Sequence, residues 1–348
     1  MESTNNFLNW VDIKNFKSIK DLRLDCKRVN VFIGKPNVGK SNILEALGLL
    51  GSSYNDNKYL QDTIRYEKLV DLYYDHDISQ DISISTDQTQ ATLSETVISK
   101  NSESAFNLNL KDERSLYKFI NYHLSEKGQL LGILSDLNRK DSRLSPVRKY
   151  DFSGRTKFEN LFQDFLLPPD GRNLYAVLNR RDDLIEEFVK LFKSQGLEFV
   201  FLEKDQTFGI QKRQGPRVKL YEFFTIADTF RRFMFYITAI ESNKDSVIIF
   251  EEPEVHSFPP YTLELAYRII YDEDDQYFIS THSPYLLHTL IENLKDDQLN
   301  VFITYYENYE TKVKAMTPDE LRDVLDFSTD IFFNLDKFLP NAGRTVSA

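Results

Sequence analysis

The sequence predicts an α/β fold in which parallel buried strands alternate with helices, divided by an insertion of roughly a hundred residues. Three observations carry that expectation. Val29 to Ile33 (VNVFI) is a short β-branched run, Gly34 to Ser41 (GKPNVGKS) completes the pattern G-x-x-x-x-G-K-[ST], and Ser41 to Leu50 (SNILEALGLL) has helical apolar spacing. Ser246 to Phe250 (SVIIF) is an almost wholly apolar run that ends in two acids, Glu251 and Glu252. A further apolar run, Tyr277 to Ser280 (YFIS), leads into Thr281, His282, Ser283 and Pro284.

The remaining elements follow in order. Trp10 to Leu24 (WVDIKNFKSIKDLRL) alternates apolar and polar residues on either side of Phe16 to Ser18, which predicts two antiparallel strands joined by a tight bend. From about Leu60 to Leu110 the chain is polar and rich in Ser and Thr, and DISISTDQTQATLSET predicts exposed strands or a meander. Glu113 to Ser135 and Asp182 to Ser194 carry helical apolar spacing. Phe199 to Gln211 reads as a hairpin, and Phe224 to Ile240 as a helix. Leu299 to Tyr305 and Thr311 to Met316 predict a terminal strand pair, and the tail from Pro340 to Ala348 is expected to fray. There is no fixed-period repeat.

Composition narrows the class. At 348 residues the chain can bury a substantial core, and with 27 Phe and 19 Tyr an aromatic near a motif is expected to be core before it is a stacking surface. The single cysteine, Cys26, allows no intrachain disulfide and excludes a Cys-rich zinc site. The polar start MESTNN lacks a signal-peptide pattern, and no apolar stretch is long enough to span a bilayer, so a cytoplasmic protein without membrane contact is expected. A net charge of −11 with a pI of about 5.1 repels polyanions at long range. Two basic clusters run against that balance: Arg139, Lys140, Arg143, Arg148 and Lys149, and Lys212, Arg213, Arg217 and Lys219. They read either as solvated charge or partner contacts, or as a nucleic-acid groove.

The chemistry resides in the three motifs. Gly34 and Gly39 let the backbone bend close to an anion, and successive N–H groups from Gly34 through Asn37, Val38, Gly39 and Lys40 then face a triphosphate. Lys40 would reach the β- and γ-phosphates, Ser41 would place a hydroxyl on Mg²⁺, and the helix N-terminus adds positive partial charge. Of the two acids closing the second apolar run, Glu251 is assigned to the metal and Glu252 to the activation of water. His282, at the end of the next strand, can sense the γ-phosphate or position the attacking water in its neutral form.

Together, IKNFKSIKDL, GKPNVGKSNILEAL, EEPEVH and THSPYLL resemble the ABC-type ATPases of the branch that holds the SMC proteins, the Rad-type break-repair ATPases, RecF and the OLD family. The resemblance implies a P-loop ATPase head with a mixed sheet, N-terminal antiparallel strands and a helical and β insertion between its two halves. Residues 1–92 would be the first half with the phosphate loop, 93–195 a mainly helical insertion, and 196–348 the second half with a signature-like helix, the acidic strand and a switch histidine. ATP and Mg²⁺ are the implied cofactors. By resemblance, Asn42 joins the phosphate loop, Phe16, Lys17 and Ser18 lie near the base or ribose, and His282 is the switch.

The signature motif would fall in Thr225 to Ile240 (TIADTFRRFMFYITAI), where Ala227 and Thr229 stand at positions usually held by Ser and Gly. Asp228 and Arg232 remain, and weaker γ-phosphate contact across a dimer, hence slow turnover or use of ATP as an assembly clamp, is expected. A second departure is Glu251 in place of the usual Asp. The insertion shows no sustained heptads, against a long SMC-type coiled coil, and the chain ends at Ala348 with no room expected for the Toprim nuclease of OLD-type proteins. ADTFRRFMFYITAI, FEEPEVHSFPPY and THSPYLL instead resemble stand-alone ATPase subunits of two-gene antiphage modules, PARIS-type systems among them. That implies a homo-oligomer, as a dimer of heads or a larger ring, controlling a separately encoded effector, a nuclease, with a phage-derived trigger. A DNA clamp of RecF or Rad type, and a scaffold that ATP only stabilises, are the alternatives.

Overall fold

The computed structural model describes residues 5–51, 60, 63–98, 103–112, 119–135, 145–160, 162–193, 195–326 and 331–340. In chain order the strands are β1 (Trp10–Phe16), β2 (Ile19–Asp25), β3 (Val29–Ile33), β4 (Ile82–Thr86), β5 (Thr89–Ile98), β6 (Glu103–Asp112), β7 (Phe119–Ser125), β8 (Leu130–Ser135), β9 (Val147–Tyr150), β10 (Glu198–Leu202), β11 (Thr207–Gln214), β12 (Arg217–Glu222), β13 (Val247–Glu251), β14 (Gln276–Ser280), β15 (Leu299–Glu307) and β16 (Glu310–Ala315). The helices are α1 (Lys40–Leu50), α2 (Leu174–Leu178), α3 (Asp182–Lys193), α4 (Asp228–Ser242), α5 (Pro259–Tyr271), α6 (Pro284–Asn293) and α7 (Pro318–Asp326). The chain divides into two compact units: residues 1–149, 245–252 and 273–348 form the first, and residues 150–244 and 253–272 the second.

The first unit is built on two sheets. One runs β2-β1-β4-β5-β6-β7-β8 and is antiparallel throughout; the other runs β16-β15-β3-β14-β13-β9. In the second sheet β15, β3, β14 and β13 are mutually parallel, and β16 folds back antiparallel on β15. Helix α1 lies between the sheets, packing on β13 and β14 and on β1, β4 and β5. That placement explains its composition: Ile43, Leu44, Leu47 and Leu50 on its several sides all join the core that also takes Val11, Ile13, Ile84, Ile249 and Phe278. A helix apolar nearly all round is a buried helix.

Alternation accounts for the antiparallel sheet. Ile82, Ile84, Ala91 and Leu93 are buried while their neighbours face outward, so the Ser- and Thr-rich stretch forms half-buried strands whose polar face is wet. The apolar spacing of Glu113 to Ser135, on which a mainly helical insertion was expected, corresponds instead to β7 and β8; residues 113–118 lie outside the described ones. Ile120, Tyr122 and Leu124 fit period two as well as a helix, and pairing with β6 decides the matter. Arg148 and Lys149, expected in a surface cluster, are buried in β9; Arg139, Lys140 and Arg143 lie outside the described residues, as does 341–348 of the tail.

The second unit holds the sheet β10-β11-β12 with α2 to α5. The predicted hairpin thus gains a third strand, and α3 lies where helical spacing placed it. Its core is aromatic: Phe192 and Phe230 meet edge to face at 4.4 Å, and Phe199 stacks on Phe208 at 5.5 Å. Arg268 on α5 ties the helices together by bonding Glu187 at 2.7 Å, Glu241 at 2.6 Å and Glu264 at 2.9 Å. Helix α4, at 15 residues, lies where the signature-like helix was expected.

Gln276, at the first residue of β14, fixes the N-terminal segment. Its Oε1 accepts from the Leu8 N–H at 2.8 Å, and its Nε2 donates to the carbonyls of Leu8 at 2.9 Å and Lys27 at 2.8 Å. Replacement by leucine keeps the volume but strands buried backbone groups, so Gln276→Leu should lower the free energy of unfolding by about 2–4 kcal/mol in urea titration. A change under about 0.5 kcal/mol would show that the segment is held by its apolar contacts alone.

Candidate functional site

The parallel strands end together. Phe32 of β3 lies opposite Ser280 of β14, and Ser280 lies opposite Glu251 of β13, so the residues after each strand emerge at one level. Past β3, residues 34–39 turn into α1. Gly39 has φ +99, and a Cβ there would lie 2.0 Å from Thr311 Oγ1; a Cβ on Gly34 would lie 2.3 Å from the carbonyl oxygen of Thr304. Both glycines are therefore demanded by close approach of the β15–β16 hairpin, as well as by the bend. Thr311 Oγ1 donates to the Val38 carbonyl at 2.9 Å, the Thr311 N–H bonds the Ser18 carbonyl at 2.8 Å, and Asn42 Nδ2 donates to Ser18 Oγ at 2.6 Å.

The loop borders a cavity of 460 Å³ lined by Ser18, residues 36–42, Arg65, Glu252, His282 and Tyr306. Lys40 is 6 % exposed, and its Nζ donates to the carbonyls of Gly34 at 2.9 Å and Lys35 at 3.0 Å. Burial lowers its pKa, while Glu252 and then Glu251 favour the charged form. Glu252 leaves β13 with φ +45, a left-handed conformation uncommon for a side chain of this size, and its N–H is held by the Ser280 carbonyl at 3.0 Å. The bend directs its carboxylate at His282, Oε1 to Nε2 3.2 Å. His282 precedes α6, whose N-terminus is capped by Ser283 Oγ accepting from the Leu286 N–H at 3.3 Å.

The two acids part company. Glu251 does not line the cavity; its oxygens lie 3.6 Å from Arg65 Nη2 and 3.6 Å from Lys149 Nζ. Ser41 lines the cavity and Glu251 does not, and among the described residues no group of three or more His, Cys, Asp or Glu side chains is placed to hold an ion. Arg65 is also bound by Glu45 of α1, Nε to Oε1 2.7 Å, and Glu45 is 1 % exposed. Lys17 donates to the same Glu45 and, at 2.7 Å, to the Arg65 carbonyl. Lys17 therefore serves the α1 carboxylate and Phe16 is fully buried, so neither lines the cavity, whereas Ser18 does.

In the second unit Asp228 opens α4, with Ala227 as an N-cap that offers no side-chain bond. The Asp228 carboxylate is taken by Arg231 Nη2 at 3.1 Å and Arg232 Nε at 2.8 Å, and Thr229 Oγ1 donates to the His256 carbonyl at 2.7 Å. Within the single chain these side chains are engaged locally. Sequence reasoning missed Arg65, Thr311 and Tyr306, which meet the loop or its cavity, and Glu45 and Lys149, which lie against Arg65 and Glu251; the local patterns around them carry no chemical signal.

Residues 7–129 match the family described as AAA ATPase domain. An SMC head bound to the C-winged helix domain of ScpA aligns over 91 % of this chain and 99 % of its own length, with 12 % identity and a TM-score of 0.50. The fold is that of an SMC head. A second SMC head, from Pyrococcus furiosus, with an extended coiled coil and bound to the C-terminal domain of ScpA, aligns over 92 % and 99 % of the two chains at 12 % identity and a TM-score of 0.50. No curated protein matches the chain. No helix among the described residues is long and apolar enough to cross a membrane.

Burial, and then the charge of Lys40, lower the pKa of His282 below its ordinary 6.5, with Glu252 opposing. The ring is accordingly neutral at pH 7. As pH falls below 6.5 the unfolded chain takes up this proton first, so the folded state loses stability until pH passes the lower folded value. In NMR titration His282 should titrate below 6.5, lower still in Glu252→Gln and higher in Lys40→Ala. A rise in Glu252→Gln would contradict this arrangement.

Proposed function

We propose that this chain is an ATP-binding, slowly hydrolysing ABC-type ATPase that acts as sensor and scaffold of a bacterial antiphage system, controlling a separately encoded nuclease effector. The observation that carries the ATPase reading is the convergence of the Lys40 loop, Glu252 and His282 on one cavity. The AAA ATPase match and the SMC-head fold support it. The antiphage role rests on the wording of the motifs around Asp228, Glu252 and His282.

The residues fit a nucleoside triphosphate with Mg²⁺. Gly34 and Gly39 let the loop close against the β15–β16 hairpin, where a Cβ would clash, and the Lys40 ammonium is held at the loop by two carbonyls that phosphate oxygens would replace. Ser41 and Glu251 would hold Mg²⁺, which when bound would supply positive charge to the phosphates. Glu252, in contact with His282, is placed to accept a proton from water, while neutral His282 holds that carboxylate by donating from Nε2–H. The Ala227 cap and the local bonds of Asp228 and Thr229 leave a second head little to grip a γ-phosphate with, which favours slow turnover and a long-lived ATP-bound assembly. A ligand of this kind shifts assembly only by binding one state more tightly.

One observation favours a second reading. Lys212, Arg213, Arg217 and Lys219 are exposed on β11 and β12 with no ion-pair partner among the described residues, and Lys212 lies opposite Lys219. A DNA clamp would use them, and its affinity would fall steeply with salt.

Steady-state phosphate release should be Mg²⁺-dependent, and Glu252→Gln should reduce it about 100-fold or more while ATP still binds and the ATP-bound assembly persists in size-exclusion chromatography. Equal turnover by Glu252→Gln would overturn Glu252 as base. Duplex binding lost on replacing Lys212 and Lys219 by Glu would support the clamp.

A further inference from the structure

The cavity beside the phosphate loop has a wall that none of the expected roles uses. Among its described lining residues Tyr306 is the one large aromatic side chain, and it is 50 % exposed. It sits on β15 directly opposite Thr311 of β16, the residue that bonds the Val38 carbonyl and the Ser18 backbone. The strand pair that carries the ring is thus fastened to the loop, and the ring is held in register with it. The other lining groups already have work: loop amides and Lys40 face phosphate, and Glu252 and His282 face each other. Asn42 is spent on Ser18 Oγ, which in turn meets Thr311 Oγ1 at 2.6 Å, so these three side chains satisfy one another.

A half-exposed aromatic side chain lining the cavity beside a triphosphate cradle is one a nucleobase can cover. Resting on the nucleotide reading above, we propose that Tyr306 is the stacking platform for the nucleobase, near which the resemblance implies Phe16 and Lys17. Stacking uses the face of the ring and not its hydroxyl, and every base offers a face.

The test is calorimetric binding of two probes, ATP and inorganic tripolyphosphate, to the full chain and to Tyr306→Ala and Tyr306→Phe. Tyr306→Ala should weaken ATP about 5- to 100-fold and leave tripolyphosphate unchanged, and Tyr306→Phe should bind both as the parent does. Equal losses for the two probes in Tyr306→Ala would mean that the ring only supports the loop. Unchanged ATP affinity in Tyr306→Ala, or a loss in Tyr306→Phe as large as in Tyr306→Ala, would also overturn the platform. A parent chain that binds neither probe would overturn the nucleotide reading itself, a result separate from any of these.

Discussion

The site depends on the register of three parallel strands. Ile279 of β14 stands between Val31 of β3 and Phe250 of β13, and all three are fully buried, with no exposed face to which the strands could slip. A slip of one residue would turn each apolar run over and misplace every group beyond its end. Because the strands stop at one level, the glycine loop, the acid pair and Thr281–His282 leave the sheet side by side. Chemistry from positions 34, 252 and 282 is brought together by the packing of residues that have none.

Electrostatics then sorts two adjacent carboxylates. Glu251 still belongs to the strand and points at Arg65 and Lys149, whereas Glu252 follows the left-handed bend and points at His282. Behind Arg65 stands Glu45, a buried anion holding both Lys17 and Arg65. Removing Glu45 would deprive Lys17 and Arg65 of their shared carboxylate close to a site that is already cationic at Lys40, which accounts for a carboxylate on an otherwise apolar stretch of α1. His282 remains neutral between Lys40 and Glu252, able to bond on either side without carrying charge into the phosphate region.

Much of this was legible in the sequence, for physical reasons that also mark the limit. Strands β3, β13 and β14 are mostly apolar because both faces are covered, and such runs followed by GKPNVGKS, EE and TH announce their ends. Strands β7 and β8 were misread because Ile120 and Leu124, four residues apart, suit a helix as well as one face of a strand. The turn at Lys17 sends its side chain to Glu45, a contact across 28 residues that no local motif reports. Tyr306 and Thr311 reach the loop only because β15 pairs with β3, so their part depends on topology and not on spacing.

The central claim is that these three strand ends surround one bound nucleotide. A crystal structure of the chain with a non-hydrolysable ATP analogue and Mg²⁺ tests it most directly. The account predicts phosphates seated on residues 34–42 with Glu252 and His282 at the terminal phosphate. An analogue bound elsewhere, or absent at saturating concentration, would contradict it.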